Sequence, residues 1–161
     1  MTGEAESDRL RRCVELAAEA LWAGDEPFGS VLVASDGRPL AEDRNRVVTG
    51  GDATLHPEFT LARWAATNLS PAERSAATVF TSGEHCPMCA AAHGWVGLGR
   101  IVYVSSAAQL AGWLAEFGAA ASPVRMLPIT QVVPDLVVEG PFDELADEVR
   151  ELHRRAVNGH G

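Results

Sequence analysis

Lysine is missing from this chain: all 13 basic residues are arginines, and they face 22 acids, for a formal net charge of −9. Such a chain lacks the basic footprint that neutralises several phosphates at once, so nucleic acid is not expected as a partner. Arg9, Arg11 and Arg12 near one end, and Arg150, Arg154 and Arg155 near the other, read as solvated helix faces balanced by neighbouring acids. No window holds the run of about 18 apolar residues that a spanning helix needs, so no membrane partner is expected. Met1 to Arg12 carries acids and arginines where a secretory signal has an apolar stretch, which points to the cytoplasm. Cysteine is scarce too. Cys86 and Cys89, three residues apart beside a proline, suit a metal site in a reducing compartment better than a disulfide framework. Cys13 falls on the apolar face of the first helix and reads as packing.

What is present is a 161-residue chain, 47% apolar, enough for one globular domain spanning residues 1–161 with a substantial core. Repeats, low-complexity segments and interdomain linkers are lacking. Leu10, Cys13, Val14, Ala17, Ala18, Leu21 and Trp22 follow the spacing of an amphipathic helix, with Ser7 placed to cap it and Gly24 to end it. Phe28 to Ala34 and Pro39 to Val47 read as a hairpin about the turn Ser35-Asp36-Gly37-Arg38. After a loop at Thr49-Gly50-Gly51-Asp52, a helix is expected from His56 to Thr67, broken by Ser70-Pro71. A strand at Thr78 to Thr81, a helix from Cys86 to Val96, a strand from Arg100 to Ser105 and a helix from Ala107 to Phe117 follow. A weak strand is expected within Val124 to Val133 and a last amphipathic helix from about Pro141 to Ala156. The alternation is α/β.

Two short segments carry chemistry: His56-Pro57-Glu58 and Cys86-Pro87-Met88-Cys89. Together they offer three zinc ligands, His56, Cys86 and Cys89, and one carboxylate, Glu58, that need not bind metal. A zinc ion with three protein ligands keeps a fourth position for water and lowers that water's pKa from about 15.7 toward about 7. A carboxylate beside it can shuttle the proton. One helical turn puts both sulfurs on one face, and Pro87 fits the first turn, where its missing N–H is not needed. A helix N-terminus favours the thiolate, the form that binds metal. Each piece alone has a plainer explanation: a redox Cys-x-x-Cys, a packed histidine, a glutamate favourable at a helix start. A redox pair leaves His56-Pro57-Glu58 unexplained. A purely structural zinc wants a fourth ligand, for which His85 and His93 are the candidates, with a bystander role the alternative for each.

The order His-x-Glu, then Cys-x-x-Cys, each opening a helix, resembles the zinc-dependent nucleobase deaminases. From Glu26-Pro27-Phe28-Gly29 through Thr81-Ser82-Gly83-Glu84-His85-Cys86-Pro87-Met88-Cys89 to Arg100-Ile101-Val102-Tyr103, the chain resembles the cytidine deaminase superfamily, in its guanine deaminase and transfer-RNA adenosine deaminase branch. The resemblance covers about residues 8–120, leaving a C-terminal strand and helix over 121–156. It implies a three-layer α/β/α fold with a mixed five-stranded sheet, one zinc ion per chain, a homodimer and a small heterocyclic substrate. It implies attack of hydroxide on an amino-bearing ring carbon, with Glu58 taking the water proton and later helping ammonia leave. It places Asn45, whose amide both donates and accepts, against the base. Phe28 and Trp95 fall where the guanine deaminase branch has pocket aromatics, although either position also suits packing. Glu84 falls where an outer residue orients the ligands or, as a plain charge, favours a helix start.

Two departures bear on substrate. Pro57 has no N–H where most relatives offer one to a substrate acceptor. Beyond the fourth strand, Gly112-Trp113-Leu114-Ala115-Glu116-Phe117 leaves only Glu116 where guanine-specific relatives have acidic contacts, and a buried donor without a partner costs specificity. The leading expectation is hydrolytic deamination of a free nucleobase or related heterocycle, such as a modified purine, a pyrimidine base or an amino-triazine. The alternatives are a transfer-RNA adenosine deaminase and a zinc-stabilised binding protein without turnover.

Overall fold

In a computed structural model of the chain, which describes residues 3–159, the amphipathic N-terminal segment forms α1 (Glu4–Trp22). Met1 and Thr2, the first residues of the acid-bearing N-terminus, lie outside the described residues. Ser7 does not cap this helix. Gly3 is the N-cap, Ser7 donates its N–H to the Gly3 carbonyl one turn in, and Glu4 and Glu6 supply the negative charge that favours a helix start. At the other end Gly24 takes φ +95° and closes the turn, as expected of a helix-ending glycine.

The strands β1 (Gly29–Val33) and β2 (Pro39–Arg44) form the expected hairpin. The segment read as a loop at Thr49 to Asp52 instead begins with a helical turn, α2 (Val47–Gly50), ended by Gly51 in the left-handed region. Asp25 explains the turn: its carboxylate accepts from the Val48 and Thr49 N–H groups, the Thr49 hydroxyl and Arg44. α3 (Pro57–Asn68) follows, and Ser70-Pro71 ends one helix and starts another. Ser70 and Glu73 form a reciprocal capping box at the head of α4 (Pro71–Ala76). Then come β3 (Thr78–Gly83), α5 (Pro87–Val96), β4 (Ile101–Ser105) and α6 (Ala107–Glu116).

The strand expected within Val124 to Val133 is absent. That stretch holds the short helix α7 (Ile129–Val132), and the fifth strand, β5 (Val138–Glu139), comes later. Pro123, Pro128 and Pro134 punctuate the segment, each without a donor for a sheet ladder, and Pro128 has the φ of −62° suited to a helix entrance. α8 (Asp143–Asn158) closes the chain.

The sheet order is β2-β1-β3-β4-β5, with β1 antiparallel to both neighbours and β3, β4 and β5 parallel: the mixed five-stranded sheet of the expectation. Alternate side chains serve opposite faces. Val31, Val33, Phe80, Val102 and Val104 pack under α1 and α8 with Cys13 among them, while Leu32, Val79 and Ile101 pack under α3, α5 and α7. The three layers are thereby set, and α1 lies so close to the start of β1 that a Cβ on Gly29 would meet the Cys13 carbonyl oxygen at 2.5 Å. Among the described residues no helix is long and apolar enough to cross a membrane.

Candidate active site

Two helices open in the same way. His56 is the N-cap of α3 and is followed by Pro57; Cys86 is the N-cap of α5 and is followed by Pro87. Proline excludes the helical region for the residue before it, so both caps are extended, with ψ 140° and 166°. That geometry turns both side chains away from their helices, and α3 and α5 pack side by side, so the two N-termini converge. His56 Nδ1 lies 3.5 Å from both Cys86 Sγ and Cys89 Sγ. The three ligand atoms all fall within 4.8 Å of one another. One imidazole and two sulfurs at this spacing are close enough to hold a zinc ion and match its preference for nitrogen and sulfur donors.

The electrostatics are those of a metal-binding thiol pair. The Cys86 thiol is held down to about 4, its bond with Cys89 outweighing burial and His56 acting in the same sense. Cys89 is pushed up by the same shared bond and by burial. Zinc takes both sulfurs as thiolates, so loading the site would release the proton the two share. The Cys86 sulfur also raises the pKa of His56 above its ordinary value. Among the described residues the ligand group contains three members and no fourth. His93 bonds the Gly99 carbonyl through Nε2 at 2.7 Å, and His85 is buried edge-on against His93, with ring centroids 5.4 Å apart.

Glu58, in the first turn of α3, is 6% exposed, and burial raises its carboxyl above the usual range. Its Oε1 accepts from Ser30 Oγ and Thr81 Oγ1, each at 3.0 Å. Sequence reading passed over these two hydroxyls. The available signal was a serine in the otherwise apolar, fully buried β1 and a buried Thr-Ser pair near the end of β3.

The remaining candidates are spread more widely. Asn45 is buried just after β2; its Oδ1 accepts from the Val47 N–H at 2.9 Å, and its Nδ2 donates to Glu26 at 3.3 Å. Glu26, singled out only as part of a motif, also bears on His56 by its charge. Pro57 is buried at the first position of α3. Phe28 is half-buried against His153 of α8, ring centroids 5.0 Å apart, and close to Gly83 at the end of β3. Trp95 is 91% exposed on α5. Glu116, on α6, is ion-paired with Arg150 of α8 at 2.6 Å. Glu84 joins three elements: its carboxylate accepts from the backbone N–H of Ala107 at the head of α6 and of Ile129 at the head of α7. It supports the end of β3, from which the chain enters the ligand-bearing turn.

Paired helix N-termini bearing His, Cys and Cys, with a buried carboxylate beside them on a mixed sheet, define a zinc site of the deaminase kind. The chain belongs to the family described as the cytidine and deoxycytidylate deaminase zinc-binding region, whose profile matches residues 4–105. Guanine deaminase of Bacillus subtilis (strain 168) is 39% identical over 97 residues, a match that spans 60% of this chain and 62% of that protein's length. A tRNA-specific adenosine deaminase of Agrobacterium fabrum is 33% identical over 147 residues, 88% of this chain and 91% of the relative. Among solved structures, guanine deaminase from Nitrosomonas europaea superposes with a TM-score of 0.70 over 98% of this chain and 86% of that one, at 19% identity, a likeness of fold.

Proposed function

We propose that the protein hydrolytically deaminates a free nucleobase or a related amino-heterocycle, with Glu58 as the proton shuttle. The observation that carries this is a buried carboxylate beside a group of three, not four, metal ligands. A bound zinc would supply a Lewis acid and a water acidic enough to ionise near neutrality. The chain's own part is to place a base next to that water. Glu58, with a carboxyl raised by burial, is suited to pass the first proton of water to a ring nitrogen and then the second, from the newly added hydroxyl, to the departing amine. Water adds its oxygen to the ring carbon as the carbon–nitrogen bond breaks, and ammonia leaves. Pro57 gives no N–H at the edge of the site, and Glu116 is occupied by Arg150, so the substrate we propose is an amino-bearing ring other than guanine.

Purified protein incubated with a panel of amino-purines, amino-pyrimidines and amino-triazines should release ammonia from at least one. Glu58→Gln should lower that rate about a thousandfold while bound zinc is unchanged. Absence of ammonia from every compound would overturn the reading. A second reading, deamination of a transfer-RNA adenosine, is favoured by the length of the match to the Agrobacterium fabrum relative.

A further inference from the structure

Ser30 and Thr81 are register partners across the antiparallel β1–β3 pair, and both are fully buried on the face of the sheet that α3 and α5 cover. Their hydroxyl oxygens lie 2.8 Å apart, and each is 3.0 Å from the same atom, Oε1 of Glu58. The two hydroxyls carry one proton each, enough for both to donate to that oxygen when neither is given to the other or to Gly83. Neither hydroxyl bonds Oε2, and the carboxyl's other neighbours are the Cys89 thiol and Glu58's own backbone N–H. The Thr81 hydroxyl also lies 3.0 Å from the carbonyl of Gly83, at the end of the strand that leads to Cys86. The clamp stands on the strand from which the chain enters α5 and its sulfur ligands.

We propose that Ser30 and Thr81 are positioning residues that divide the labour between the two oxygens of Glu58: they hold Oε1, and so fix Oε2 as the oxygen that exchanges protons with water and substrate. The inference rests on the reading of Glu58 as proton shuttle. Glutamate has a long side chain with several rotamers, and a proton donor misplaced by about 1 Å can lose about a hundredfold in rate. Neutral hydroxyls on two rigid, hydrogen-bonded strands are a means of holding it that brings no charge into the site.

The test compares zinc-loaded wild type with Ser30→Ala, Thr81→Val and Thr81→Ser, reading kcat and KM for ammonia release, bound zinc, and the crystal structure of each. Ser30→Ala and Thr81→Val should each lower kcat about tenfold with KM and zinc content unchanged, and Thr81→Ser, which keeps the hydroxyl, should stay near wild type. If Ser30→Ala does not fold, the Thr81→Val and Thr81→Ser pair makes the same comparison. Wild-type kcat in the folded, zinc-loaded Ser30→Ala and Thr81→Val proteins would overturn the proposal. If wild type releases ammonia from no heterocycle, the functional reading fails, and the crystal structures decide the positioning role. A Glu58 that leaves its place in Thr81→Val but not in Thr81→Ser supports it, and one that stays in both overturns it.

Discussion

Asp25 shows how much of the site's framing depends on single buried groups. It is 3% exposed and collects Arg44 at the end of β2 and two backbone N–H groups and one hydroxyl on the turn that carries the chain on toward His56. Burial alone would raise its carboxyl. The Thr49 N–H and hydroxyl, Arg44 and the Val48 N–H outweigh it and hold the group below its ordinary 3.8. A carboxyl lowered on folding stabilises the protein above pH 3.8 and loses that contribution as pH falls through its lowered folded value. Asp25→Asn should therefore cost about 2 kcal/mol at pH 7, with the gap to wild type narrowing below pH 3.8, as read by urea unfolding at both pH values. Neither Asp25 nor the Ser30–Thr81 pair was legible in the sequence. Their meaning lies in contacts with residues 19 to 51 positions away, which local periodicity does not encode. His56, Glu58, Cys86 and Cys89 were legible because their chemistry and spacing are local to two helix starts.

At the scale of elements, the hairpin, the major helices and β3 and β4 follow from apolar spacing and from turn residues. The C-terminal approach to the sheet does not. β5 has two residues, too few for a strand pattern, and α7 is fixed by the Glu84 carboxylate from across the fold. The helix pair α3–α5 carries the prediction that belongs here. Its ligands are oriented by Pro57 and Pro87, and the pair packs through Leu61, Ala62, Ala65 and Ala90. Chelation should thus leave the far-ultraviolet circular dichroism of a folded α/β protein while lowering Tm by about 10 °C, and zinc should restore it. Complete unfolding on chelation would instead fit a chain whose fold depends on the metal.

Over the whole molecule, charge and exposed apolar surface point to different partners. The arginines at the two ends of the chain are largely spent on acids: Arg11 on Glu148, Arg12 on Glu15, Glu19 and Glu42, Arg150 on Glu116, and Arg154 and Arg155 on Glu151. With a net charge of −9 as well, an anticodon stem-loop should give no electrophoretic shift even at low salt, and a shift that fades as salt rises would favour the transfer-RNA reading. Trp22 and Trp95 are 71% and 91% exposed, and we propose that they meet a second copy of the chain in a homodimer. Sedimentation equilibrium at micromolar concentration should return twice the chain mass, and a monomer would refute it. The sheet itself sets a further condition. β1 is buried along its whole length with helices on both faces, so apolar alternation says little about which residue of β3 each of its residues should face. The hydroxyls opposite each other at Ser30 and Thr81 act as a registration mark: a strand zipped one residue out of step would point its hydroxyl into hydrocarbon, at about 1–3 kcal/mol, and leave Glu58 without that partner. On the role proposed for Glu58, such a chain would have the right outline and a misplaced base, so specific activity in a preparation would also measure how much of it was assembled in step.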